Sequence, residues 1–537
     1  MEHFSDTLVR SATRPSKTED DYDYPEDLPQ IKINRIRAFR AREAADLLGV
    51  PGEDLIHSSM FYQLWKEMKG QSSEQLRVSY THPMDDGQAR AFKIRFDGEG
   101  VDDYGGPYRE VFQQVCDELQ APDPGAAHAR RLASKSGELG VAAQQRPDSW
   151  EAAVSRAHGD GGTADARSAA EQDARERGNA RAPDPCFLPL LLPTPNWTAG
   201  ECKERYCYTL HPGSSSSIRM ELYCFMGKLM GLAIRSRLSM DLNLPSLIWK
   251  SLVREPLHEM DLASIDVHAA DFVHHLSGIL ERLRVAKSQG SEGALANARE
   301  EAFSLIQDLN WTCVRSDGKT IELIPGGSSR TVAVDDLQEY LTAYIEARLT
   351  ESSVSIDAFR NGLLSVVPER ALCLMTGEEL CRVVCGADTI DVDRLRDNTE
   401  YDEDVTPNDP HIIDFWSALR DFSEEEKSAF LRFVWARSAL PPVGVPFPQK
   451  FKIQGAVGDD VNSSPNQYLP RAHTCFFSVN LPKYSSKELM TEKLKYAIFN
   501  CTEMDADFRM TDTDVVGWTD ALPGANTAAN TAFASDE

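Results

Sequence analysis

The chain has 537 residues, 41% of them hydrophobic and 26% charged, an ordinary globular composition with room for two to four domains. A net charge of −27 argues against nucleic acid, whose phosphates need a basic footprint, and against an anionic membrane surface. The eleven cysteines are odd in number, Met1–Arg10 has no apolar stretch, and Phe187–Leu192 is too short to span a bilayer. These features point to a reducing compartment, cytoplasmic or nuclear, without membrane insertion.

Residues 1–30 are polar, acidic from Glu19 to Glu26, and read as disordered. Residues 31–84 read as helices packing on the next domain of the chain. The first, over 31–48, carries Ile33, Ile36, Phe39 and Leu47 among basic residues; its basic face reads as solvated before it reads as a partner surface. The second, Leu55–Met68, holds Met60, Phe61, Leu64, Trp65 and Met68. Ala91–Phe96 alternates like a strand. Gly98–Phe112 is then a glycine-rich turn entering a helix. Such a turn can cradle an anion, but Glu99, Asp102 and Asp103 would repel one.

Residues 121–183 break the pattern. Sixteen of residues 121–180 are Ala, Trp150 is the single aromatic, and Ile is absent. Such a segment cannot offset ordering costs of ~1–2 kcal/mol per residue, so a disordered insertion is expected. After Pro185, Glu221–Ile234 is apolar nearly all round and predicts a buried helix. Phe272, Leu276, Ile279 and Leu280 form a helical stripe. Thr320–Ile324 reads as a strand stopped by Pro325-Gly326-Gly327, and Leu337, Tyr340, Leu341, Tyr344 and Ile345 as the next helix. Helices over Ile412–Phe422 and Glu424–Trp435 lead to a loop at Arg437–Gly444. Beyond Phe508 no period survives, and 509–537 reads as a disordered tail.

Between those helices and the tail lies Leu469–Ser485. Cys475, Phe477, Val479 and Leu481 alternate with Phe476, Ser478 and Asn480, and Pro470 and Pro482 bracket the run, which predicts a short strand with Cys475 at its mouth. Ser485 and Glu488 have capping-box spacing. A helix comes next, with Leu489, Met490, Leu494, Ala497, Ile498 and Cys501 on its period. Taken alone, a free cysteine is most often a small buried hydrophobe. The close pairs Cys202/Cys207 and Cys381/Cys385 lack a second pair at finger distance, so no metal site is expected. No phosphate loop or dinucleotide fingerprint appears, so no cofactor is expected.

The residues around Cys475 change that reading. Leu-Pro-Arg-Ala-His-Thr-Cys-Phe-Phe-Ser-Val-Asn-Leu-Pro-Lys-Tyr-Ser, 469–485, resembles the catalytic-cysteine segment of HECT-type E3 ubiquitin-protein ligases, particularly the HERC-like members. The Gly105-Gly106 turn before Arg109-Glu110, the text around Phe225–Ile234, the stretch Phe359–Gly386 and the run Asp397–Val405 are similar to the same family, in its order.

The resemblance implies an α+β, bilobal HECT domain. A larger, mostly helical N-lobe would span 85–385, with a conjugating-enzyme-binding subdomain over about 256–349. A hinge at 386–389 and a smaller α/β C-lobe at 390–508 would complete it. The resemblance also implies that Cys475 carries ubiquitin as a glycyl thioester, supported by His473 and Thr474. For His473 a thiolate-favouring or positioning role and a plain backbone hydrogen bond both stay open; Thr474 would lie near the developing oxyanion. Phe272, Leu276, Tyr340 and Tyr344 fall where the family contacts its conjugating enzyme, with packing as the alternative for each. The implied partners are ubiquitin, a conjugating enzyme and protein substrates. The family's terminal aromatic would be Phe508 or Phe533, or would have no counterpart here. The rival class is a catalytically impaired scaffold of the same fold.

Overall fold

The computed structural model describes residues 28–48, 55–77, 80–81, 89–99, 103, 105–123, 186–200, 202–213, 216–386, 389–402, 405–441, 444–456 and 458–500. The expectations for most of 1–30 and of the 121–183 insertion, for the middle of 386–389, for Phe508 and for the tail lie outside these residues.

The chain enters as a strand, not a helix: β1 (Gln30–Ile33) pairs in parallel with β2 (Lys93–Phe96), Ile31 opposite Ile94 and Ile33 opposite Phe96. The alternation of Ile31 and Ile33 decides this, since both are buried at the start of the first core. Helix α1 (Arg35–Leu48) follows with Ile36 and Phe39 exposed, so the amphipathic helix expected over 31–48 is split in two. In α2 (Met60–Met68) the N-cap Ser59 accepts from the Tyr62 N–H, and all five apolar positions of the expected helix are buried.

Gly105, at φ 108°, turns the chain into α3 (Gly106–Gln120). The nearby acids are consumed internally. Asp103 is 3.0 Å from Arg90, both fully buried, and accepts from the Ile94 and Gly105 N–H groups; Glu99 and Glu110 pair with Arg35. A hairpin of β3 (Leu191–Pro193) and β4 (Tyr208–Leu210) then leads to the long α4 (Ser217–Ser236) and to α5 (Ser246–Val253).

The stripe of Phe272 and Leu276 belongs to α6 (Val267–Gln289), capped by the Asp266 carboxylate. Next comes α7 (Glu292–Ile306), unread in the sequence because it buries only the small Ala298 and Ala302 beside Ile306. The hairpin of β5 (Thr312–Val314) and β6 (Thr320–Glu322) precedes α8 (Leu337–Leu349), α9 (Ser353–Val366) and α10 (Gly377–Cys385). One buried core runs from Ile31 to Val384.

A second core runs from Ile390 to Ile498. It contains α11 (Val392–Asp397), β7 (Thr399–Tyr401), α12 (Pro410–Asp421), α13 (Glu424–Trp435), β8 (Phe451–Gly455), β9 (Arg471–His473), β10 (Ser478–Leu481) and α14 (Lys487–Asn500). Its four-stranded sheet has the order β7-β8-β10-β9, parallel from β7 through β10, with β9 antiparallel at the edge. Among the described residues no helix is long and apolar enough to cross a membrane. The fold is α+β.

Candidate active site

The sequence-predicted strand over 475–481 is shorter than its alternation suggests. β9 ends at His473, residues Thr474–Phe476 make one tight turn, and β10 starts at Ser478. Cys475 therefore lies on a hairpin turn rather than at the mouth of a strand. His473 stands opposite Ser478 on the antiparallel partner, and the turn that begins right after it takes Cys475 off that strand.

The turn is fixed from below. Phe477 adopts φ 46°, ψ 55°, a left-handed conformation that reverses the chain, and its ring is fully buried. That ring stacks on Trp435 at 4.0 Å between centroids and 10° between planes, with Phe451 at 5.0 Å. Trp435 in turn stacks on Phe447 at 6.0 Å. The Phe477 carbonyl accepts from the Lys452 N–H at 2.9 Å, joining the turn to β8. Val479 and Leu481 are buried as the alternation predicts, while Phe476 is 61% exposed. A packed base thus holds up a turn from which Phe476 reaches solvent, and His473 and Thr474 are half-buried on its approach.

The turn also touches the first core. The buried Arg109, in the first turn of α3, donates from Nη2 to the Thr474 carbonyl at 2.8 Å. Arg437 lies with its guanidinium 4.4 Å over the Trp435 ring and donates from Nη1 to the Arg237 carbonyl at 2.8 Å, at the end of α4. Sequence reasoning assigned no role to either arginine; no pattern in the chain signals a contact between residues 365 apart.

The capping expected from Ser485 comes from its neighbour: the Leu489 N–H donates to Ser486 Oγ at 3.3 Å, and Ser485 bonds Asn466. In α14, Met490, Leu494, Ala497 and Ile498 are buried as expected.

The four partner-contact candidates cluster, but mostly inside. Leu276 and Tyr340 are 1% exposed and Phe272 is 9% exposed, so in the free chain these three are packing residues; Tyr344 is half-buried. Their rings pack together, Phe272–Tyr344 at 5.4 Å and Tyr340–Tyr344 at 6.0 Å. Burial pushes the Tyr344 hydroxyl well above the ordinary tyrosine range. Beneath them Arg348 bonds Asp266 at 2.8 Å and Glu351 at 2.6 Å. Burial works against its charge, but these two carboxylates outweigh it and raise its pKa. The same helices, α6 and α8, wall an open cleft of about 590 Å³ lined by Leu280, Leu341, Ile345 and Leu349 together with Glu281 and Glu346.

Among the described residues no group of three His, Cys, Asp or Glu could hold a metal ion. Cys381 and Cys385 pack on the first core, and Cys385 Sγ donates to the Leu242 carbonyl at 3.5 Å.

Two hydrophobic cores, the second holding a β9–β10 hairpin whose turn Thr474–Phe476 carries the Cys of His-Thr-Cys-Phe, describe a HECT-type domain. Residues 192–507 match the model of the HECT-domain (ubiquitin-transferase) family, and the chain belongs to that family. It is 30% identical over 481 residues, 89% of its length, to the E3 ubiquitin-protein ligase HERC2 of Mus musculus and equally to that of Homo sapiens. It is 29% identical over 298 residues, 54% of its length, to the E3 ubiquitin-protein ligase TOM1 of Saccharomyces cerevisiae. The chain spans 8% of the length of each of these relatives.

Proposed function

We propose that this chain is a HECT-type ubiquitin transferase that accepts ubiquitin from a conjugating enzyme on Cys475 and passes it to a substrate lysine. The observation that carries the reading is the Thr474–Phe476 turn, raised on the Phe477–Trp435 stack in a chain of this family.

The chemistry is two acyl transfers. The Cys475 thiolate attacks the thioester carbonyl on the conjugating enzyme; a new C–S bond forms and the enzyme's own thiolate leaves. A lysine amine then attacks the Cys475 thioester, an amide forms, and the cysteine sulfur leaves with the amine's proton restored to it. In this reading the first core is the N-lobe, the second is the C-lobe, and Gly386, at φ 93° between them, belongs to the hinge. The cleft of Leu341 and Ile345 receives the conjugating enzyme, with Phe272, Leu276, Tyr340 and Tyr344 supporting its wall. His473 and Thr474 shape the approach to the thiol. ATP is consumed upstream, the chain itself uses no cofactor, and it works in the cytoplasm or nucleus.

The test mixes charged conjugating enzyme with the protein and resolves the product on a non-reducing gel. A reductant-labile ubiquitin adduct is expected, absent in Cys475→Ala and replaced in Cys475→Ser by at most a slow, reductant-resistant ester. A labile adduct that survives Cys475→Ala would place the acceptor on another cysteine. A chain that charges but never discharges to any amine would be a scaffold.

A further inference from the structure

The Cys475 turn is held to the first core through main-chain carbonyls. Arg109 Nη2 donates to the carbonyl of Thr474, one residue before Cys475, and Arg437 Nη1 donates to the carbonyl of Arg237. Arg437 also lies over Trp435, the ring on which Phe477 stacks, so the turn is gripped from both ends: Thr474 by Arg109, and Phe477 through Trp435 and Arg437. A third contact points the same way, with Arg432 of α13 3.9 Å from Asp117 of α3. Arg109 and Arg437 are almost fully buried, 2% and 6% exposed. A charge-assisted hydrogen bond shielded from water is stronger and more directional than one on the surface.

The elements that make these contacts decide which step they serve. They are α3 and the end of α4, whereas the cleft lies on α6 and α8. During charging, the conjugating enzyme presents its own thioester and helps to fix the accepting thiol. During transfer to an amine that enzyme is not needed, and the chain must hold the loaded turn with its own surface.

We propose that Arg109, with Arg437, is a positioning residue for the second step: it docks the Cys475 turn on the first core for transfer to lysine, and is dispensable for charging. This rests on the transferase reading. Neither arginine is assigned a proton transfer or a bond to ubiquitin; each orders the main chain that carries the thioester.

The experiment uses the full chain as wild type, Arg109→Gln, Arg109→Lys and Arg437→Gln. Single-turnover charging from a ubiquitin-loaded conjugating enzyme is measured first. That enzyme is then quenched, and discharge of the thioester to free lysine is monitored; a thermal melt accompanies each variant. The expected result is charging within about twofold of wild type and discharge slowed about tenfold in Arg109→Gln, the scale of one lost charge-assisted bond. Arg109→Lys recovers part of the loss, and Arg437→Gln repeats it. Wild-type discharge in both Gln variants would overturn the proposal. If Arg109→Gln loses both steps together with its melting temperature, Arg109 is structural. Arg437→Gln then decides alone, and wild-type discharge in a normally melting Arg437→Gln would again overturn the docking role. If the wild-type chain does not charge at all, it is the transferase reading that fails, and the docking role falls with it.

Discussion

Phe477 stacks on Trp435 with ring centroids 4.0 Å apart, while its own backbone sits at φ 46° in the left-handed region. A non-glycine residue there costs about 1–2 kcal/mol, and the buried stack offsets that cost. Phe477→Ala is expected to lose about 3–5 kcal/mol, because the ring goes and the strain stays. Phe477→Gly loses the same ring but sheds the strain, so it should be the more stable of the two in a urea melt by roughly 1 kcal/mol. If the Ala variant is as stable as the Gly variant, the left-handed turn is unstrained and the stack has nothing to offset.

The cleft and its supporting wall should separate in mutational tests. Phe272 is 9% exposed within the aromatic cluster, so Phe272→Ala should cost about 3 kcal/mol of stability and depress charging only through the folded fraction. Ile345 lines the cleft and is half-buried. Ile345→Ala should leave the melt nearly in place and raise the conjugating-enzyme concentration needed for half-maximal charging about tenfold, some 1.4 kcal/mol. An Ile345→Ala variant that charges like wild type would move the docking surface away from this cleft.

Periodicity was legible where an element buries large side chains on one face. α13 spans Glu424–Trp435, as read from the sequence, because Ser423 caps it with Glu426 and its apolar positions keep the 3.6 period. At the site the same logic failed in one specific way. Cys475, Phe477, Val479 and Leu481 alternate as a strand would, but a left-handed residue at 477 also delivers a buried ring, and alternation cannot distinguish the two. The first strand was hidden because Ile33, Ile36 and Phe39 have helical spacing, and only the pairing of Gln30–Ile33 with Lys93–Phe96 decides. The family-like motifs include both Cys475 and Arg109, but nothing in them signals the tertiary contact of Arg109 with Thr474.

Glu118 gives stability a pH dependence. Its side chain is buried, and burial raises its pKa to about 7, with the N–H groups of Phe61 and Met60, which donate to it at 2.9 Å, pulling the other way. Between its ordinary value of 4.5 and about 7 the folded chain retains a proton that the unfolded chain has released. Stability therefore falls as pH rises through that window, by on the order of 2 kcal/mol from this group. Glu118→Gln should lose roughly 1–2 kcal/mol at pH 5, where one N–H of α2 loses its acceptor. Its urea midpoint should then change less than that of wild type between pH 5 and 7.5. Parallel midpoints in the two proteins would show that Glu118 is ionised across the whole range.

The crossing of α4 and α9 is set by two glycines facing each other's backbone. A Cβ on Gly227 would overlap the Phe359 carbonyl oxygen, and one on Gly362 would overlap the Cys224 carbonyl oxygen. In both cases the obstacle is main chain inside a helix, which cannot rotate away as a side chain tip would. Gly227→Ala and Gly362→Ala should each cost about 2–3 kcal/mol, the range of overpacked cores, despite the better helix propensity of alanine. Because either substitution must push the same two helices apart, the space opened by the first is available to the second. The double variant should therefore lose less than the sum of the single losses in a denaturant melt, a coupling of about 1 kcal/mol or more. Losses that simply add would mean that each helix yields separately, without a crossing distance shared between the two sites.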